Sequence, residues 1–296
     1  MFIVKIWAGF ANQMFQYAFY KSLLSNGKIA LVDNNSFIPK WDFENVNLKE
    51  IFPNIELNIA DPLLIEMFNS RKVDAFSKIK RRLLKAINQS EETPQHYIKE
   101  PKFTYNSFIY YLEGDYYLEG FWQTEKYFQN IKDKIRKDFL FKPFSDKKNI
   151  EFEKVIRETN AVAIHVRKGA DYKKSITSGT CGIEYYKAAI KFVMEKINNP
   201  NFIIFSDNIT WCKENLSFCE PTFVDWNPHS GYGNHFDMQL MSLCKHNIIA
   251  NSSYSWWGAW LNNNPDKIII APKTWFNKKY CSYDTRDLVP NTWIKL

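Results

Sequence analysis

No stretch of this chain holds the roughly 18–20 consecutive apolar residues needed to cross a bilayer, so the sequence predicts no membrane span. The opening Met1-Phe2-Ile3-Val4-Lys5 also lacks the basic leader and the small-residue cleavage site of a secretory signal. Cysteine is scarce: Cys181, Cys212, Cys219, Cys244 and Cys281 are odd in number and follow no metal-ligand or disulfide spacing. Such usage fits a reducing cytoplasm. The five histidines show no ligand spacing either. Asp-x-Asp, a pair that chelates Mg²⁺ or Mn²⁺ on a diphosphate, does not occur, and Glu113-Gly114-Asp115 is the nearest approach. The first strand-to-helix turn does not follow G-x-G-x-x-G, which leaves a nicotinamide dinucleotide unsupported. Low-complexity stretches and internal repeats are missing, which argues against extended disorder and against a solenoid.

What is present is a chain of 296 residues, more than one compact core usually holds. Two domains are expected, 1–148 and 149–296, joined near the polar stretch Lys142–Lys148 around Pro143. Phe2 to Trp7 reads as a buried strand and Gln13 to Leu24 as a helix, with Ile29 to Val32 the next strand. Gly120-Phe121-Trp122-Gln123 reads as a strand running into a helix from Glu125. In the second half, strands at 161–166, 201–205, 247–250 and 267–271 alternate with helices at 185–197, 236–245 and 256–261. Strands separated by helices predict parallel α/β sheets, one in each half, facing each other across a cleft.

The net charge of +7 is moderate for this length. It is concentrated in Arg71–Lys85, where Val73, Phe76, Ile79, Leu83 and Leu84 fall near one helical face. A solvated basic face is the plainer reading, and peripheral docking on an anionic membrane surface is the alternative. Aromatic residues are not interleaved with a basic stripe, so nucleic acid is not an expected partner.

In parallel α/β sheets, ligands bind beyond the carboxyl ends of the strands. Three predicted strands of the second half end in polar runs: His165-Val166-Arg167-Lys168-Gly169-Ala170-Asp171, Ser206-Asp207, and Asn251-Ser252-Ser253-Tyr254-Ser255. Alternation along a strand puts His165 and Arg167 on one face. An arginine fork matches phosphate oxygens and never loses its charge. The competing role for Arg167 is an ion pair with a nearby carboxylate such as Asp171. Serines at a helix start combine hydroxyls with unpaired amides, a ready anion site, although one serine is explained by capping alone. Asp237 either caps its own helix or accepts N–H groups from a guanine edge. Asn12, in the first loop, faces the cleft from the opposite half.

These residues resemble a known family. Gly9-Phe10-Ala11-Asn12-Gln13-Met14-Phe15-Gln16-Tyr17-Ala18 is similar to G-x-G-N-Q-x-F-Q-Y-A, and His165-Val166-Arg167-Lys168-Gly169 to H-x-R-R-G-D-Y. Phe121-Trp122-Gln123-Thr124-Glu125-Lys126-Tyr127-Phe128, Phe205-Ser206-Asp207 and Ile248 through Trp260 match further blocks in order. The family is the bacterial α-1,2-fucosyltransferases of glycosyltransferase family 11. The resemblance implies a GT-B fold of two Rossmann-like domains, with an N-terminal acceptor side and a C-terminal side that binds GDP-fucose. It also implies inversion at the fucose carbon with neither cofactor nor metal, as part of O-antigen or other surface-glycan synthesis. By the same resemblance Arg167 holds the β-phosphate, His165 and Asp237 read guanine or ribose, and Ser252 and Ser253 seat the diphosphate. Asn12, Asp207 and Asn251 complete the nucleotide-sugar set. Asp171 is the candidate base, with Glu125 its alternative. The expected acceptor is a galactose-terminated oligosaccharide, lipid-linked in one version, reached in the cytoplasm or at the inner membrane. The rival readings are a transferase using another sugar nucleotide and an inactive nucleotide- or glycan-binding relative. Two departures stand out: Ala11 replaces the family's glycine, and Ala170 is inserted before Asp171.

Overall fold

The computed structural model describes residues 1–34, 48–68, 96–100, 103–169, 176–231, 233–279 and 283–296. Ala170, Asp171, Cys281 and the basic segment Arg71–Lys85 lie outside the described residues. Those described form two sheets, each with every strand parallel. The first contains β1 (Phe2–Lys5), β2 (Ala30–Asp33), β3 (Tyr97–Lys99) and β4 (Tyr116–Glu119) in the order β2-β1-β4-β3. The second contains β5 (Asn160–Val166), β6 (Pro200–Ser206), β7 (Thr222–Val224), β8 (His246–Ile248), β9 (Ile269–Ala271) and β10 (Ile294–Lys295) in the order β10-β9-β8-β5-β6-β7.

Helices connect them: α1 (Phe10–Ser25), α2 (Leu48–Ile51), α3 (Pro62–Phe68), α4 (Lys132–Asp138) and α5 (Lys147–Glu158), then α6 (Ile183–Lys196), α7 (Ile209–Leu216), α8 (Phe236–Leu243) and α9 (Ser253–Trp260). Both faces of β5 are covered, as a parallel strand requires. Val162, Ile164 and Val166 meet one apolar cluster with Tyr186, Ala189 and Val193 of α6, while Ala161 and Ala163 belong to another on the opposite face. That second cluster continues into the N-terminal half. Phe15 of α1 places its ring 4.5 Å from Trp256 and 4.7 Å from Trp257 of α9, and the Trp257 indole N–H donates to the Ala11 carbonyl at 3.0 Å. The two sheets therefore share one continuous core through α1 and α9.

The strand orders locate the binding crevice. Beyond β5 the chain adds β6 and β7 on one side, then returns to place β8, β9 and β10 on the other, so the order reverses between β5 and β8. In the first sheet the corresponding reversal lies between β1 and β4. Loops leaving strands at such a switch point diverge and open a crevice. The two sheets facing that crevice form the GT-B architecture.

One expected element moved. The strand before Glu125 is Tyr116–Glu119, whereas Gly120–Gln123 is a loop and the helix is a single 3-10 turn at Glu125–Tyr127. The cause is a contact distant in sequence: Trp122 adopts a left-handed φ of 55°, and the Glu100 carboxylate accepts the N–H groups of Phe121 (2.7 Å) and Trp122 (2.9 Å), taking them out of any strand ladder. Ala11, by contrast, meets no conformational restriction. It lies inside α1, and the positive φ of this loop falls on Ala8 (66°).

Among the described residues no helix is long and apolar enough to cross a membrane, and Cys181, Cys212, Cys219 and Cys244 are all unpaired thiols.

Candidate active site

A cavity of about 270 Å³ opens at the reversal between β5 and β8. The start of α1 lines it from one half through Asn12, and the other half contributes His165 and Arg167 at the end of β5, Asp207 after β6, Asp237 in the first turn of α8, and Ser252 and Ser253 at the start of α9. A second chamber of about 240 Å³ adjoins it, and the two share Asn12, Arg167, Ser252 and Ser253 as a common wall.

Arg167 stands one residue beyond β5, on the His165 face, as alternation requires. Its guanidinium pairs with Asp207 at 2.8 Å, and about a third of the side chain remains exposed. The other Asp207 oxygen accepts the Lys168 N–H at 2.7 Å, which anchors the carboxylate while it holds the guanidinium. Asp207, just beyond β6, is thus a carboxylate partner that local spacing did not indicate, while Asp171 lies outside the described residues. Lys168 turns away, donating to the Cys181 carbonyl and lying over the Trp211 ring.

Ser252 is the N-cap of α9, its hydroxyl accepting the Tyr254 N–H at 3.3 Å. Ser253 opens the helix, and both line the two chambers. The start of a helix directed at a cavity presents amide dipoles suited to an anion. Asn251 lines the second chamber, but its carboxamide is engaged with the structure around it. It donates to the carbonyls of Thr177 and Trp275, each at 2.8 Å, and accepts from the Cys181 thiol. Its position therefore keeps the segments at 177 and 275 in place.

His165 is 7% exposed, stacked on Tyr254 with ring centroids 5.6 Å apart. Burial first, and then the charges of Arg167 and His229, push its imidazole down to about 3, so the ring is neutral. Its Nδ1 is buried and finds no hydrogen-bond partner among the described residues. Asp237 does not cap its helix. It sits in the first turn of α8 and takes the Asn227 carboxamide on Oδ1 at 2.8 Å. Burial raises its carboxyl to about 6 against the opposing effects of Asn227 and His229. Between about pH 4 and 6 the folded state holds a proton that the unfolded chain has released. The stability tied to that proton is therefore fully present below about 4 and is lost as pH rises through 6.

Two α1 glutamines position the N-terminal loops. Gln13 donates to the Ala8 carbonyl at 2.8 Å. Gln16, fully buried, accepts the Trp7 N–H at 2.8 Å and donates to the Gly120 carbonyl at 3.1 Å. Gln123 then donates to Asn12 at 2.7 Å, joining the loop after β4 to the first turn of α1. Left-handed backbone at non-glycine residues such as Ala8 and Trp122 persists only when its surroundings over-determine it, at a cost of about 1–3 kcal/mol each. Gln13, Gln16 and Glu100 supply that determination. Glu125 lies elsewhere: its carboxylate accepts the Trp260 indole N–H at 3.1 Å, at the far end of α9, and it lines neither chamber. It is removed as a candidate base.

Sequence reasoning missed Phe10, Tyr254 and the loop of His229, Ser230, Gly231 and Asn234, which close the first cavity. A signal for the loop was there in the closely spaced glycines Gly231 and Gly233, both with positive φ. The Tyr254 hydroxyl donates to the Asn234 carbonyl and accepts the Met238 N–H, each at 2.8 Å, so α9 holds that loop in place.

With the geometry in hand, comparison with known proteins is decisive on family. The family model for glycosyl transferase family 11 matches residues 1–296. The chain belongs to glycosyl transferase family 11. This family 11 protein is 33% identical over 309 aligned residues to an alpha-1,2-colitosyltransferase of Escherichia coli, covering 99% of this chain and 98% of the relative. It is 39% identical over 150 residues to the O-antigen biosynthesis glycosyltransferase WbnK of Escherichia coli, covering 49% of this chain and 48% of that one. Galactoside alpha-(1,2)-fucosyltransferase 2 of Bos taurus is 26% identical over 113 residues, 36% of this chain and 31% of the relative. Among solved structures, the fucosyltransferase NodZ from Bradyrhizobium aligns over 87% of this chain and 90% of its own, at 12% identity and a TM-score of 0.48.

Proposed function

We propose that this family 11 glycosyltransferase moves L-fucose from GDP-β-L-fucose to the 2-hydroxyl of a terminal galactose, with inversion and without a metal. The observation that carries the reading is the common wall of the two chambers, where Arg167 meets the serine-capped start of α9. A diphosphate lying there has a fixed guanidinium on one side and helix-terminal donors on the other, which stabilise the charge of the leaving nucleotide. The nucleoside occupies the first cavity, with the neutral His165 and the Asp237 carboxylate as the groups that read it. The acceptor hydroxyl attacks the sugar carbon from the face opposite GDP, and Asp171 is the proposed acceptor of its proton. The reading divides the chain into an acceptor-side unit, 1–148, and a GDP-sugar unit, 149–296. Its acceptor is a galactose-terminated glycan of surface-polysaccharide synthesis, lipid-linked and handled at the inner membrane.

A second reading is favoured by the full-length similarity to an alpha-1,2-colitosyltransferase: the donor sugar is colitose. Purified protein incubated with chelator, an acceptor panel and either GDP-fucose or GDP-colitose separates them, with product linkage mapped. Transfer of neither sugar, or transfer abolished by the chelator, overturns the proposal.

The guanine role of Asp237 makes pH a test. Protonation below about pH 6 removes the carboxylate as an acceptor. GDP affinity is therefore expected to fall about tenfold from pH 7 to pH 5, following a one-proton linkage. Calorimetric titration of GDP across that range checks it. Asp237→Asn, which does not titrate, is expected to flatten the profile; an unchanged profile in that variant removes Asp237 from nucleotide reading.

A further inference from the structure

The second chamber has an apolar wall that a phosphate seat does not require. Three phenylalanines from distant segments meet there: the Phe103 ring centroid lies 4.9 Å from Phe276 and 5.8 Å from Phe121. Phe103 and Phe276 are 9% and 8% exposed, so the wall is packed in place. Phe121 is set by its N–H bond to Glu100, and the buried Gln16 holds the adjoining Gly120 carbonyl. The polar part of the lining includes Asn12, Gln123 and Thr177. Among the described residues, Arg167 is the one charged side chain that lines this chamber.

This combination specifies a ligand. A chamber that shares its wall with the diphosphate seat receives the group bonded to the distal phosphate, and about 240 Å³ is room for one pyranose. Carboxamides and a hydroxyl suit ring hydroxyls, whereas a phenyl wall accepts C–H groups and leaves a hydroxyl facing it without a partner. We infer that the second chamber holds the donor's sugar ring, and that the Phe103–Phe121–Phe276 wall selects 6-deoxy sugars by packing against the C6 methyl group. The inference rests on the reading of the first cavity as the GDP site. It is indifferent to the choice between L-fucose and colitose, because both lack the 6-hydroxyl.

Equilibrium titration of the whole protein without acceptor tests it, using GDP, GDP-L-fucose and the 6-hydroxylated counterpart GDP-L-galactose. The expected preference for GDP-L-fucose over GDP-L-galactose is about 10- to 100-fold, the range over which an apolar pocket rejects an added hydroxyl. Phe276→Asn is expected to reduce that preference to within about threefold while GDP alone binds as before, and Phe276→Leu to retain it, since an apolar group against C6 is what the wall provides. Retained GDP binding reports that a variant is folded; should Phe276→Asn lose it, Phe121→Gln, from the other half, makes the same test. Equal binding of the two sugar nucleotides by a protein that binds GDP overturns the inference and leaves the nucleotide reading standing. So does a Phe276→Asn variant whose acceptor KM rises while both donor affinities stay unchanged, because the chamber then belongs to the acceptor. Failure of the unsubstituted protein to bind GDP overturns the nucleotide reading, and the inference falls with it.

Discussion

An Arg167→Ala variant is expected to fold normally and to transfer sugar about 10²–10³ times more slowly, the loss typical of removing one preorganised transition-state donor. The guanidinium stands at the shared wall of both chambers, and its ion pair with Asp207 at 2.8 Å fixes its direction before substrate arrives. As the bond between sugar and diphosphate breaks, negative charge grows on the phosphate oxygens, so a donor already in place acts most strongly in the transition state. Turnover should therefore fall more than GDP affinity does. Arg167→Lys retains a charge but not the planar fork, and its loss should be smaller, on the order of tenfold. The side chain is a third exposed, so removing it leaves Asp207 in reach of water and should shift stability by no more than about 1 kcal/mol. Steady-state kinetics beside a thermal melt measure both quantities. Near-full transfer by a folded Arg167→Ala protein dismisses the leaving-group role.

The largest effect on stability is expected at Trp257. This indole is fully buried in α9, packs on Phe15, stacks on Phe128 at 5.6 Å, and donates to the Ala11 carbonyl beside Asn12. Trp257→Ala opens a large cavity where the two halves share their core and should cost about 3–5 kcal/mol. At about 2–4 °C per kcal/mol for a chain of this size, the melting temperature drops by roughly 6–20 °C. Trp257→Phe keeps most of the packing and removes one of two donors to the Ala11 carbonyl, which still accepts within the α1 ladder, so its cost should be smaller, about 0.5–1.5 kcal/mol. GDP affinity should weaken in both variants because Asn12 sits on that turn. A melting temperature within about 2 °C of the unsubstituted protein for Trp257→Ala would show that α1 and α9 do not depend on this contact.

The strand ends of the second half were legible because a parallel strand is short, apolar and abruptly terminated. His165-Val166-Arg167, Ser206-Asp207 and Asn251-Ser252-Ser253 each follow such a run, and the structure brings all three to one crevice. Gly120–Gln123 misled because an aromatic-rich run reads as a strand. The Glu100 carboxylate that holds it in a loop precedes it by twenty or more residues. Glu100 gave no signal of its own: its importance comes from burial, which raises its carboxyl to about 7, and from the two amides it accepts. Gln13 and Gln16 lay within a motif, yet their bonds to Ala8, Trp7 and Gly120 follow from no periodicity.

Local order along the chain is enough to establish alternating strands and helices, a charged strand end, and a serine-capped helix, since each depends on residues within a turn or two of one another. How Asp207 comes to pair with Arg167, where the Asn251 carboxamide is engaged, and how three phenylalanines some 173 residues apart at their widest come to form one wall depended on the packing of two sheets around α1 and α9. Those contacts join segments whose separation in the chain carries no information about their meeting in space. Only the shared core brings them together.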